Sequence, residues 1–216
     1  EFRTTLIKII NDLRNQKSKS NVKVYNSDIR NINNLVSDNS FDISLFSPPY
    51  VNCFDYFEVY KIELWLGGFI NSYKELKQLR KKAITSNLNA NLKQNLKVNI
   101  NSTLFSSTLN LLNKSKHWDK NIPLMVDLYF KEMSVFYSSL HKKMKKNGKV
   151  AVVVGNSAYA GIPVLTDLIM AEIINHVGFK VNEIIVARKN ETSSQQYKKI
   201  GNKIKYIRES IIIFEK

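Results

Sequence analysis

Cysteine, glycine and acidic side chains are all scarce in this 216-residue sequence. Its one cysteine, Cys53, rules out a disulfide within the chain and any zinc cluster built on cysteine pairs. A lone thiol also fits a reducing compartment, the cytoplasm. The three histidines lie far apart in the sequence, and no metal site is expected. No apolar run approaches the roughly 20 residues needed to span a bilayer. There is no visible signal peptide, and the chain opens on Glu1 rather than Met. An upstream piece is therefore expected to have been removed, left out or placed in another chain. Seven glycines are present, and none forms G-x-G. Against 18 Asp/Glu stand 33 Lys/Arg, a net charge of +15 with a pI of about 9.7. Such an excess points to a polyanionic partner. An Asn- and Lys-rich composition bias is the alternative reading of the charge alone.

What is present suffices for one α/β domain: the chain is 44% hydrophobic, and long enough to bury a core. Phe2, Leu6, Ile9, Ile10 and Leu13 recur at helical spacing over residues 2–15. Residues 22–25 alternate as a strand, 29–40 allow a short helix, and 41–46 form a second strand. Residues 55–83 read as mostly helical, and 84–121 show no clear period. An amphipathic helix is expected over 123–146, stopped by Asn147-Gly148. A buried strand at 149–154, a helix at 164–176, and strands at 181–187 and 209–214 complete the order, with a basic polar loop at 188–206. Strands alternating with helices imply a largely parallel, doubly wound sheet, and the final pair an antiparallel edge hairpin.

One tetrapeptide stands apart: Ser47-Pro48-Pro49-Tyr50, at the carboxyl end of the strand 41–46. Ligands of open α/β sheets bind outside the carboxyl ends of strands. Two prolines cannot continue a ladder and make a stiff extended corner. The Ser47 hydroxyl and Pro48 carbonyl are then able to accept hydrogen bonds from an amino group, and Tyr50 offers a flat face to a base. These are the needs of amino methylation. An exocyclic amine conjugated to its ring is a poor nucleophile, and acceptors that hold its protons localise its lone pair for attack on a sulfonium methyl. No covalent enzyme intermediate is involved, so no cysteine nucleophile is needed. The base must also leave the duplex, which an aromatic pocket eases. A plain strand-terminating turn is the alternative for these four residues taken alone.

FDISLFSPPY followed by VNCFDYFEVYKIELWLGG resembles the [D/N/S]-P-P-[Y/F/W] signature of amino-methyltransferases. It has the serine form typical of cytosine-N4 DNA methyltransferases of restriction–modification systems. ELKQLRKKAITSN resembles the basic helix that follows in that family. NGKVAVVVGNSAYAGIPVLTDLIMAEIINHVGF resembles its next strand, loop and helix, and VARKNETSSQQ and IRESIIIFEK its last two strands. The resemblance implies a class I methyltransferase that uses S-adenosyl-L-methionine, with a Rossmann-like, mostly parallel sheet and an antiparallel C-terminal edge hairpin. It implies that Ser47, Pro48 and Tyr50 hold the target base while Pro49 fixes the turn. Asp28, with Ser27 and Ser47, would contact the cofactor, Asp28 at its adenine. Asp55, Tyr56, Asn156, Ser157 and Tyr159 would shape the base pocket. A turn aspartate at 28, a helix N-cap at 55 and a simple loop at 156–159 are the structural alternatives.

The family's pattern is broken in one region. Its glycine-rich F-x-G-x-G cofactor loop and the acidic residue that binds the ribose are both missing. The helix 2–15 and strand 22–25 resemble the third βα unit of the fold, and the family's first strand lies between that strand and the one carrying SPPY. Unpaired central edges are costly, so the first strands are expected from an upstream segment or a second polypeptide. The chain then reads as a partial catalytic domain over 1–216, with 84–122 an inserted target-recognition or helical segment. Residues 71–149 hold 16 Lys/Arg and 4 Asp/Glu, and 187–208 hold 7 and 1. Lys77, Arg80, Lys81, Lys82, Arg188 and Lys189 are the candidate contacts to double-stranded DNA. The expected activity is cytosine-N4 DNA methylation in a restriction–modification or related defence system of the prokaryotic cytoplasm or nucleoid. Adenine-N6 methylation, RNA amino-methylation and a noncatalytic DNA-binding subunit of a split enzyme are the alternatives.

Overall fold

The computed structural model describes residues 2–15, 21–190 and 199–216. Strands β1 (Phe41–Phe46), β2 (Met144–Gly155), β5 (Lys180–Lys189) and β6 (Arg208–Glu215) form one sheet in the order β1-β2-β6-β5. The short strands β3 (Ser157–Tyr159) and β4 (Ile162–Val164) pair with each other as a separate hairpin. Helices alternate with these strands: α1 (Phe2–Asn15), α2 (Ile32–Leu35), α3 (Tyr56–Val59), α4 (Lys61–Leu66), α5 (Tyr73–Lys82), α6 (Thr103–Lys114), α7 (Ile122–Lys143) and α8 (Thr166–Val177). No helix among the described residues is long and apolar enough to cross a membrane.

The sheet is mixed, which corrects the expectation of a mostly parallel one. β1 and β2 are parallel, as their connection through α3 to α7 permits. β6 lies between β2 and β5 and runs against both, so the other two pairings are antiparallel. The α/β class stands, and the antiparallel C-terminal hairpin is present.

Helix α7 organises the core. Met125, Tyr129, Met133, Phe136, Tyr137 and Leu140 repeat every three or four residues and are buried. They belong to one cluster with Val150, Val152 and Val154 of β2 and Ile212 and Phe214 of β6, which alternate along their strands. Aromatic rings carry this packing across the sheet. Phe46 meets Phe136 edge-on at 5.2 Å, Tyr137 meets Phe214 at 6.0 Å, and Phe214 meets Phe179 at 4.9 Å. Each such pair contributes about 0.5–1.5 kcal/mol beyond area burial. Helix α8 packs beside α7 and stops at Gly178, whose φ of 112° suits glycine in the left-handed region.

The other sheet face is apolar and open. Ile43 and Leu45 of β1 are 74% and 75% exposed. Helix α1 buries no residue, leaving Phe2, Leu6, Ile9, Ile10 and Leu13 exposed.

Two further expectations need correction. Residues 22–25 form no strand and are exposed, because extended backbone becomes a strand only by pairing and no described strand pairs with them. Helix α7 ends at Lys143, not 146, and Asn147-Gly148 lies within β2, with Asn147 at a φ of 61° where the β1–β2 register shifts. The turn signal marks an irregularity of the strand rather than a helix cap. Within residues 84–122, which carry helix α6, Thr85, Ser86, Asn87, Ile100, Phe105 and Leu112 are buried. The Thr85 amide donates to the buried Glu132 carboxylate of α7 at 2.6 Å, which ties the segment down.

Tyr137 is fully buried, and its hydroxyl has no hydrogen-bond partner among the described residues. An unpaired buried hydroxyl costs about 1–3 kcal/mol. Tyr137→Phe is expected to raise the unfolding free energy by about 1 kcal/mol. Thermal or urea unfolding followed by circular dichroism checks this, and clear destabilisation would contradict it.

Candidate functional site

β1 leads straight into the Ser47–Tyr50 corner. Pro48 is buried there, whereas Ser47 is exposed. The chain then turns sharply: the Asn52 amide donates to the Tyr50 carbonyl at 2.8 Å, and Cys53 has a φ of 63°. Val51 is fully buried, and its carbonyl accepts hydrogen bonds from Ser157 at 2.7 Å and Tyr159 at 2.8 Å.

The Tyr50 ring packs against Gly155, the last residue of β2. A Cβ at that glycine would come within 2.7 Å of the ring, so only a glycine leaves it room. The Tyr50 hydroxyl donates to Glu209 Oε1 at 2.5 Å. Glu209 is the β6 residue paired with Gly155, and Arg188 is its partner on β5. Arg188 Nε reaches Glu209 Oε2 at 2.6 Å. One row across three strands thus supplies a flat seat, a carboxylate and a guanidinium. Burial, then the bond to Glu209, pushes the Tyr50 phenol up to about 12. The hydrogen bond from Tyr50, helped by Arg188, holds the Glu209 carboxyl below its ordinary range.

Ser47 Oγ donates to the Val153 carbonyl at 3.1 Å and lies 3.4 Å from the Tyr50 hydroxyl. A serine hydroxyl has one proton and two lone pairs. With its proton on Val153, Ser47 presents acceptor capacity outward.

A cavity of about 390 Å³ opens beside this corner. Ser47, Pro48, Pro49, Ile29, Ile32 and Met133 are among its lining residues, and its wall is largely apolar. Asp28 precedes Ile29 but is engaged: it caps the single 3-10 turn Ile29–Asn31 and binds the Arg30 guanidinium at 2.6 Å. That contact holds its carboxyl below the usual range. Arg30 also reaches Glu132 at 2.8 Å, and Ser27 is exposed in a bend.

The remaining sequence candidates divide. Tyr56 is half-buried in the segment after the corner and meets the Phe54 ring edge-on at 4.8 Å. Asp55 caps α3 and pairs with Arg80 at 2.6 Å, the structural alternative weighed for it. Arg80 is thus engaged in an ion pair, with its side chain only 12% exposed. Asn156 is also committed. Its Oδ1 accepts from the Asp167 amide at 3.0 Å, and its Nδ2 donates to the Tyr206 carbonyl at 3.0 Å. Tyr159 is buried and braces Val51 instead of facing the cavity. Lys77, Lys81, Lys82, Arg188 and Lys189 are exposed, whereas residues 191–198 of the basic loop lie outside the described residues.

Glu209 and Gly155 are the site residues that sequence reasoning missed. A signal existed: an antiparallel last strand beside β2 would begin next to the carboxyl end of β2. Recognising it required knowing that β6, and not β5, pairs with β2.

No family model matches the chain. It is 32% identical over 204 residues to the type II methyltransferase M.BsoBI of Geobacillus stearothermophilus, covering 84% of this chain and 39% of that protein. It is 28% identical over 210 residues to the type II methyltransferases M.AvaI of a Nostoc species and of Anabaena variabilis, covering 92% of this chain and 43% of each. The chain is a homologue of type II DNA methyltransferases. It spans about two fifths of the length of these curated relatives. Among solved structures it resembles one from Thermus thermophilus, described as a DNA modification methylase and complexed with S-adenosyl-L-methionine. That likeness has a TM-score of 0.43 and 13% identity, over 88% of this chain and 53% of the other.

The lowered Glu209 value sets a pH dependence. Its stabilising contribution is fully present above the ordinary glutamate value of 4.5 and is lost as the pH falls through the depressed folded value. Glu209→Gln is expected to lower the melting temperature at neutral pH, and the gap to the unsubstituted protein should close below about pH 4. A gap independent of pH would show that the charge contributes nothing.

Proposed function

We propose that this chain is the target-base part of a DNA methyltransferase that moves a methyl group from S-adenosyl-L-methionine to an exocyclic amino group, the N4 of a flipped cytosine. The observation that carries the reading is the corner at the end of β1. Its exposed Ser47 donates to the Val153 carbonyl and keeps its lone pairs as acceptors, and the Tyr50 ring is held beside it against Gly155. Acceptors at that place draw the amino protons away and leave the nitrogen lone pair to attack. A fixed aromatic face repays part of the unstacking cost of a flipped base. The homology to type II methyltransferases supports DNA as substrate. The exposed lysines Lys77, Lys81 and Lys82 on α5, with Lys189, would neutralise phosphates, whereas Arg188 is engaged by Glu209.

The cofactor, when bound, supplies an electrophilic sulfonium methyl. The residues present fit it in part. The apolar cavity beside Ser47 suits an adenine ring, with Ile29, Ile32 and Pro48 as walls. Among the described residues, no charged side chain lines that cavity to hold a ribose diol or an amino-acid group, and the Asp28 carboxylate is engaged by Arg30. A second segment, upstream in the polypeptide or in another chain, therefore completes the site. The open edge of β1, the exposed Ile43 and Leu45, and the partial coverage of the relatives support this reading.

Methyl transfer to unmethylated genomic DNA, with the nucleosides resolved by mass spectrometry, tests both statements. N4-methylcytosine formed only when the second component is added is the expected result. N6-methyladenine would reassign the base, and no product despite DNA binding would leave a noncatalytic subunit. Within the active assembly, Tyr50→Ala is expected to lower turnover by the equivalent of about 1–3 kcal/mol, the scale of one base–aromatic contact. Full activity of that variant would remove Tyr50 from the base pocket.

A further inference from the structure

We infer that Glu209 is a positioning residue for the base-holding corner: through the Tyr50 hydroxyl it seats the ring on Gly155 and sets Ser47 as an acceptor. This rests on the amino-methylation reading and adds a residue from a distant part of the chain. Glu209 is almost fully buried, and its second oxygen is held by Arg188. An ionised carboxylate only accepts, so the bond to Glu209 Oε1 is one that Tyr50 must donate. The single phenolic proton is thereby committed. Tyr50 then only accepts from Ser47, 3.4 Å away, and the Ser47 proton goes to the nearer Val153 carbonyl or to the phenol oxygen, in either case inward. Without Glu209 the Tyr50 hydroxyl is free to donate to Ser47 Oγ, taking up one of the two lone pairs open to an incoming amino group. The ring would keep its contact with Gly155 and lose the hold on its hydroxyl end.

Glu209 touches no reacting atom in this scheme. Its effect runs through the phenol, which makes a double-substitution cycle decisive. In the assembly with its second component, Glu209→Ala is expected to lower kcat on the order of ten- to hundredfold, the range for hydrogen bonds to a charged partner, with KM for DNA nearly unchanged. In a Tyr50→Phe background, where no hydroxyl remains to hold, the same change should cost no more than about twofold. Glu209→Gln, which keeps an acceptor oxygen, should retain more activity than Glu209→Ala. An equal loss in both backgrounds, or a loss confined to KM, would overturn the inference. The same four proteins are to be compared by thermal melting. If the unsubstituted assembly transfers no methyl group, the functional reading fails on its own. Coupling between positions 50 and 209 in the melting data then supports the positioning role, and strict additivity overturns it.

Discussion

The antiparallel pairing of β6 with β2 is the constraint on which the site depends. Side chains alternate along a strand, so one register decides which residues enter the core and which rise at the strand end. The observed register pairs Val150 with Phe214 and Gly155 with Glu209. It buries Phe214 among Tyr137 and Phe179 and sets Glu209 beside the glycine that seats Tyr50. A slip of one residue would turn Phe214 out of the core and carry Glu209 away from Tyr50. Core packing thus enforces the geometry of a polar cluster that contributes little to the core itself.

The core is one-sided. α7 and α8 cover one face of the sheet, while β1, among the described residues, ends the sheet with an unpaired edge and apolar side chains on the other face. Such a face costs solubility unless something covers it. By the alternation of β6, Glu209 lies on the same side as Ile211 and Ile213, so the candidate site sits at the margin of the open face. A segment laid on that open face, as proposed, would also come close to Ser47 and Tyr50.

Much of this was legible in the sequence where local pattern decides. FDISLF alternates and meets two prolines, and β1 has those bounds. The 3.6-residue repeat of α7 and the glycine after α8 marked both helices. The failures have a common cause, which is that strands are made by neighbours. VKVY has the composition of a strand and, among the described residues, no partner, and β6 could not be placed between β2 and β5 from its own residues. Residues 84–102 look solvated because they are rich in Asn and Ser, yet Thr85, Ser86 and Asn87 are buried through polar contacts such as that of Thr85 with Glu132. Ser47 and Tyr50 could be chosen from the motif alone. Their protonation pattern could not, since it is dictated by Val153 and Glu209, each more than 100 positions away.

A serine whose proton is already spoken for reads polarity, not shape. Its Oγ meets an amino group as a partner and a keto oxygen as a like dipole. Thymine and uracil match cytosine in ring size but carry oxygen at position 4, so on the proposed reading lone pair would face lone pair at this corner. The Val153 carbonyl, a backbone atom that touches no base, would in this way help to turn pyrimidines of the wrong kind away.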